Sequence, residues 1–348
     1  MPEKIAFQHI SSRQTTNPKW FSPEKQLAAS CNPPNLSLIN HLTMQMERFI
    51  SAYQVPDLSI ALVDNASTIW TKSFQHGGNR RKAYADNEQA RYSVNTLSHV
   101  LTAIAIMQQM EQGNLSIDKP YSALFPYMPG ATFTLRDLLS YPSKLDQLYL
   151  KNQNTPLPRS KGSSVESYSH ALTCAALEQA SRQSIVDYMN RQLLPQLNMR
   201  QSSFHVRAFS DKPNNKSDNS AFSSRLQTTI DDLSQIIKMV NRRGASSAER
   251  VLHPDTINTM INPQTPTQEL SHYGLGWHIF EETQNSKLVG HLELSAFSSS
   301  SVMLLDMHTQ VGIALLTNNQ QCQLPLYTIA KKALTHMINI KRHDSGSI

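Results

Sequence analysis

From Thr96 to Gln112 no proline or glycine interrupts the chain, and Ala103-Ile104-Ala105-Ile106-Met107 is apolar in every direction around a helix. A surface helix shows an apolar stripe and a polar back, so a helix without a polar back has to be enclosed. Asn95 is suited to cap its start, because a side-chain oxygen there takes one of the orphan N–H groups of the first turn. Gly113-Asn114 supplies the residues that tolerate a left-handed C-terminal cap. The expectation is a central buried helix starting at Thr96, with Thr96 and His99 one turn apart on one face. A chain of 348 residues is long enough to wrap such a helix in a core.

The run TAIAIMQQMEQGNLSIDKPYSALFP, Thr102–Pro126, closely resembles the segment that follows the first motif of the β-lactamase-related, penicillin-binding serine hydrolases. That group holds class C β-lactamases, DD-peptidases and related esterases. Their first motif is Ser-x-x-Lys at the start of a buried helix; here the serine position holds Thr96 and the lysine position His99. The second motif, Tyr-x-Asn, is matched by Tyr168-Ser169-His170, and Leu172, Leu177, Glu178, Ser184, Tyr188, Leu194, Pro195, Leu197 and Met199 follow the family pattern after it. Tyr273-Gly274-Leu275-Gly276-Trp277 matches YGLGW, and Val289-Gly290-His291-Leu292-Glu293 occupies the third motif, Lys-Thr-Gly or His-x-Gly. TLRDLLSYPSKL stands where the family reads TIRHLLTHTSGL, with Tyr141, Pro142 and Lys144 replacing histidine, threonine and glycine. The resemblance covers about residues 36–340 in the family's order.

It implies an α/β (α+β) fold of the β-lactamase or transpeptidase type: an antiparallel sheet flanked by N- and C-terminal helices, packed on a mostly helical region. The sheet part is expected over about residues 36–91 and 266–340, the helical part over about 92–265, and a flexible arm over 1–35. The residues themselves read the same way. Leu38, Ile39, Leu42, Met46, Phe49 and Ile50 recur at helical spacing, and Leu58–Val63 with Ser67–Phe74 read as a hairpin split at Asp64-Asn65. A long helical region is expected from Ser167 to Met199, another helix from Thr228, strands at Val302–Asp306 and Gly312–Asn318, and a closing helix over Leu326–Ile340.

The resemblance also implies a chemistry against which each altered position can be weighed. Acyl transfer in this family uses an activated serine, a lysine and a tyrosine that handle its proton, and two backbone N–H groups facing the oxyanion. Thr96 keeps a hydroxyl but adds a methyl that stiffens χ1 and crowds attack. His99 is a shorter base with an ordinary pKa near 6.5. Tyr168 is retained, and the oxyanion donors are expected at Thr96 and Leu294. Glu293 replaces a glycine that lets substrate lie along the strand edge, adding bulk and negative charge. Departures therefore fall on all three motifs. The expected protein is a catalytically impaired or inactive homologue that binds a ligand or partner; the alternative is a hydrolase of esterase, amidase or peptidase type using Thr96 with His99 or Tyr168.

The catalytic positions are thus Thr96, His99, Tyr168, His170 and His291, and the substrate-facing ones Glu293, Leu294 and Tyr141. The motifs call for no metal and no cofactor. His99, His170 and His291 nevertheless occupy positions that converge in the family, and three neutral imidazoles can bind zinc with a fourth position open.

Other classes are disfavoured. Net charge is +6, but the basic residues are scattered, and Arg80-Arg81-Lys82 lacks the length and aromatic interleaving of a nucleic-acid patch. Small-molecule or peptidoglycan-like ligands, or a protein partner, are expected instead. No run reaches the roughly 18 apolar residues of a membrane span. The opening MPEKIAFQHISSRQ lacks the plan of a signal peptide, so the chain as it stands reads as cytoplasmic, or as exported if a signal was removed. Cys31, Cys174 and Cys322 share no metal spacing, and Cys174 reads as a core residue.

Overall fold

The computed structural model describes residues 36–75, 90–94, 97–140, 165–207, 223–264, 272–292, 299–319 and 322–345. The arm expected over residues 1–35, the cap at Asn95 and the start at Thr96 lie outside them. The helices that matter below are α1 (Leu36–Tyr53), α2 (Leu97–Glu111), α3 (Leu135–Ser140), α4 (Val165–Ser181), α5 (Ile230–Asn241) and α6 (Gln323–Ser345).

Seven antiparallel strands form the main sheet in the order β2-β1-β10-β9-β8-β7-β6. They are β1 (Asp57–Asp64), β2 (Ser67–Gln75), β6 (His272–Tyr273), β7 (His278–Glu282), β8 (Lys287–Leu292), β9 (Ser300–Asp306) and β10 (Val311–Thr317). A second sheet, β3-β5-β4, joins Tyr92–Val94, Ser223–Thr228 and Ser203–Arg207, and β3 leads into α2.

The strands β1, β9 and β10 read as unbroken apolar runs because helices cover both faces of the sheet. Side chains alternate across a strand. Ile60, Leu62, Val302, Leu304, Ile313 and Leu315 therefore join the core on the side of α1 and α6. Ala61, Val63, Met303, Leu305, Ala314 and Leu316 join the core built around α2.

Of the 15 residues of α2, 12 are buried, including Gln108 and Gln109. Burial of those amides is offset by hydrogen bonds: Gln108 Nε2 donates to the Val251 carbonyl at 3.0 Å, and Gln109 Nε2 to Tyr188 Oη at 3.0 Å. The segment after α4 is less regular than the expected run to Met199. Arg182 takes a φ of 56°, Ser184 caps a new turn by accepting from the Asp187 N–H, and Met189–Leu193 is a π-helical turn. Among the described residues no helix is long and apolar enough to cross a membrane.

Candidate functional site

The start of α2 meets the sheet at the corner between β6 and β7. Tyr273–Trp277 makes that corner: the Gly274 N–H donates to the Trp277 carbonyl at 2.8 Å, and Leu275 and Trp277 are buried. Gly276 has a φ of +79°, and a Cβ there would stand 2.4 Å from the Cβ of Ala103 on α2. Only glycine combines that backbone with so close an approach. Gly276→Ala is therefore expected to cost about 2–3 kcal/mol, from the left-handed φ and overpacking together. Urea unfolding of the variant checks this, and a midpoint equal to wild type would contradict it.

The same corner is tied to the helical region. The Gly276 N–H donates to the Leu139 carbonyl at 2.9 Å, at the end of α3, and the Ser169 hydroxyl on α4 donates to the Leu138 carbonyl at 3.1 Å. On the sheet side, the Ser299 hydroxyl donates to the Ser93 carbonyl on β3. Four elements are thus held around one small space: α2, α4, and strands β7 and β8.

Each of the four contributes a histidine to that space: His99 from α2, His170 from α4, His278 from β7 and His291 from β8. The rings of His99 and His170 stack at 3.9 Å between centres, and those of His278 and His291 meet edge to face at 5.3 Å. The cavity among them measures about 50 Å³. His170 and His291 are buried outright. His99 and His278 are half-buried and keep some accessible surface where they line this cavity.

Burial fixes the charge of the cluster. Desolvation pushes the His170 pKa down to about 3 and that of His278 down to about 4. It holds His99 and His291 well below the usual imidazole value, and mutual repulsion among neighbouring imidazoles adds to the effect. All four are therefore neutral at pH 7. The Thr102 hydroxyl lies within hydrogen-bond reach of the Ser98 carbonyl, at 2.9 Å, and of His170 Nε2, at 3.0 Å, which ties the His170 ring to α2. Cys174 Sγ lies 3.6 Å from the same nitrogen; burial pushes its thiol pKa well above the ordinary range, so it is a core thiol and no nucleophile.

Of the positions singled out in the sequence, His99, His170 and His291 come together around the cavity. The backbone of Tyr168 lies in α4. Its side chain, together with Thr96, Tyr141, Glu293 and Leu294, lies outside the described residues. His278, which sequence reasoning missed, directly follows the YGLGW corner. It pairs in register with Gly290, so no side chain stands opposite it, and this places it beside His291. Strand register was the missing signal.

The β-lactamase family model matches residues 40–328 of the chain. No curated protein matches it. Among solved structures, a class C β-lactamase superposes with a TM-score of 0.67 at 15% identity, covering 88% of this chain and 98% of that one. The D-alanine carboxypeptidase AmpC from Burkholderia cenocepacia gives 0.66 at 14% identity, with 86% and 99% covered. The octameric penicillin-binding protein homologue from Pyrococcus abyssi gives 0.65 at 18% identity, with 86% and 77% covered.

Proposed function

The chain belongs to the β-lactamase family, and from that premise we propose that it is a non-hydrolytic member whose pocket binds rather than cleaves. The observation that carries this reading is the cavity at the foot of α2. It offers about 50 Å³ and is lined by four neutral imidazoles, whereas pockets that take drug-sized ligands run to about 300–1,000 Å³. A residue at the lysine position of the first motif has to move a proton from the nucleophile. A base works best when its pKa lies near the operating pH. Burial holds His99 far below that.

The names of the neighbours, a penicillin-binding protein homologue and a D-alanine carboxypeptidase, make peptidoglycan-like peptides the macromolecular ligand class to try first. Only a group of a few atoms, or an ion, fits the cavity itself. A second reading keeps hydrolysis. His99 is neutral at pH 7 and stands one helical turn after Thr96 in sequence, so it is able to accept a hydroxyl proton.

Intact mass decides between them. Wild type and Thr96→Ala are incubated with a penicillin and separately with an activated phosphonate. No mass increment is expected in either protein. An increment present in wild type and absent in Thr96→Ala establishes the hydrolase and overturns the binding reading.

A further inference from the structure

Among the described residues no three of His, Cys, Asp and Glu are arranged to hold a metal ion, and the imidazole cavity is no exception. A larger space lies at the other end of the main sheet. Strand β2 is the last in its order, paired with β1 on one side and with no other described strand on the other. Between β2 and α5 runs a groove of about 440 Å³, within the range of about 300–1,000 Å³ that small organic ligands occupy. One wall is Thr68–Thr71 of β2; the other is Asp231, Ser234, Gln235 and Lys238 of α5.

The two walls differ in chemistry. Successive side chains of a strand point to opposite faces, so a space that meets four consecutive residues runs along the strand's edge. A bulge adds to this: Trp70 pairs with Leu62 and Thr68 with Val63, which leaves Ile69 outside the register. Ile69 and Trp70 both pack on the core beside α1 and α6, whereas α5 belongs to the core of α2 on the other face. What these two residues turn to the groove is main chain. On α5 the four lining residues follow i, i+3, i+4, i+7 spacing, one polar face of a helix whose Leu233, Ile236, Ile237 and Val240 are core. Ser234 Oγ lies 3.1 Å from Thr68 Oγ1 and ties the walls together.

Lys238 decides the charge of the ligand. It is half-buried and, among the described residues, makes no hydrogen bond or ion pair. Burial and the nearby Arg242 guanidinium hold its pKa below the ordinary lysine value, and Asp231 and Asp232 offset this in part. The other charges nearby are engaged: Arg242 donates to the Ala66 carbonyl at 3.1 Å, and Asp232 accepts from the Gln201 N–H and the Ser202 hydroxyl. A half-buried ammonium in this position is complemented by an anion.

We propose that the groove between β2 and α5 seats a short extended peptide, its main chain along the edge of β2 and a carboxylate on Lys238 Nζ. Strand addition and carboxylate capture are both recurring ways of holding a peptide. From Asp231 to Lys238 the helix rises about 10 Å, the length of about three extended residues. The bulge breaks the flat edge that the sheet of a second copy would need, so a short segment is the better fit. This groove is separate from the imidazole cavity, and the outcome of the acylation experiment leaves it untouched.

The test uses the full chain and tetra-alanine labelled with fluorescein at its N-terminus, read by fluorescence anisotropy. Three forms are compared: a free C-terminus, a C-terminal amide, and an amide with one internal alanine replaced by glutamate. Saturable binding is expected for the first or the third form, and binding about tenfold weaker or less for the plain amide, as befits the loss of one hydrogen bond to a charged group. Which form binds tells whether a chain terminus or an acidic side chain supplies the carboxylate. Lys238→Met keeps the apolar stem and should weaken the carboxylate peptides to the level of the plain amide. Lys332→Met, at an exposed lysine of α6, should leave them unchanged. Equal binding by wild type and Lys238→Met, or no saturable binding of either carboxylate peptide, overturns the proposal. Sodium acetate that displaces the peptide as well as unlabelled peptide does also overturns it, because an anion site alone would then suffice. A dimer in sedimentation that Lys238→Met abolishes would seat a second copy in the groove and overturn it too. Should Lys238→Met fail to fold by circular dichroism, Thr71→Glu decides: it puts a negative charge at an exposed position of the strand wall, and undiminished binding of the carboxylate peptides overturns the site.

Discussion

The protein is expected to lose about 4 kcal/mol of stability between pH 7 and pH 5 from His170 and His278 alone. The sign follows from the direction of the shifts. Both imidazoles have folded pKa values, about 3 and about 4, below their ordinary value. Between pH 6.5 and those values the unfolded chain takes up protons that the folded chain refuses, so acid favours unfolding. The loss begins as pH falls through about 6.5, amounts to about 2 kcal/mol per histidine at pH 5, and levels off only once the folded imidazoles themselves protonate. His99 and His291, shifted the same way, deepen the decline. The other titratable group that lines the cavity among the described residues is Tyr273. Urea unfolding at pH 7, 6 and 5 measures the slope. A stability unchanged from pH 7 to pH 5 would show that the four rings are open to water and that the cavity is not as closed as described.

Trp277→Ala is the second large effect, expected to cost about 3–5 kcal/mol. Trp277 is 1% exposed and sits in the core around α2. It lies between Gly276, which touches α2, and His278, which enters the cavity. Removing the indole leaves a void that close-packed neighbours fill only in part. It also frees the corner that aims His278. Thermal unfolding should show a melting temperature lowered by several degrees. Unfolding parallel to wild type would mean that the corner is held by its backbone bonds alone, those of Gly274 and Gly276.

The elements of this molecule were largely legible in its residues. Helix α2 announces itself because an all-round apolar run has one stable environment. The hairpin of β1 and β2 turns close to Asp64-Asn65, where Asn65 takes a φ of 50° that asparagine tolerates. Thr229 caps α5 by accepting from the Asp232 N–H, one residue after the expected start at Thr228. Where local signals were contradictory the structure adds detail to the reading. Ser167–Met199 reads as a helical region and is helical over most of its length, but it is interrupted at Arg182 and Ser184 and contains a π turn whose Asn190 bonds both the N–H and the carbonyl of Phe204.

The candidate site divides along the same line. Its motif positions were readable because His99, His170 and His291 stand where sequence order puts them, on the first turn of α2, the second turn of α4 and on β8. That they share one cavity with His278, and that all four are neutral, is decided by tertiary structure. His278 has no motif of its own; it reaches the cluster because β7 pairs with β8 opposite the bare backbone of Gly290. Neutrality is set by the protein that surrounds the rings, and desolvation is a property of the packed whole. The chain alone determined which side chains stand at the head of the buried helix; only folding decided that they face one another across one cavity.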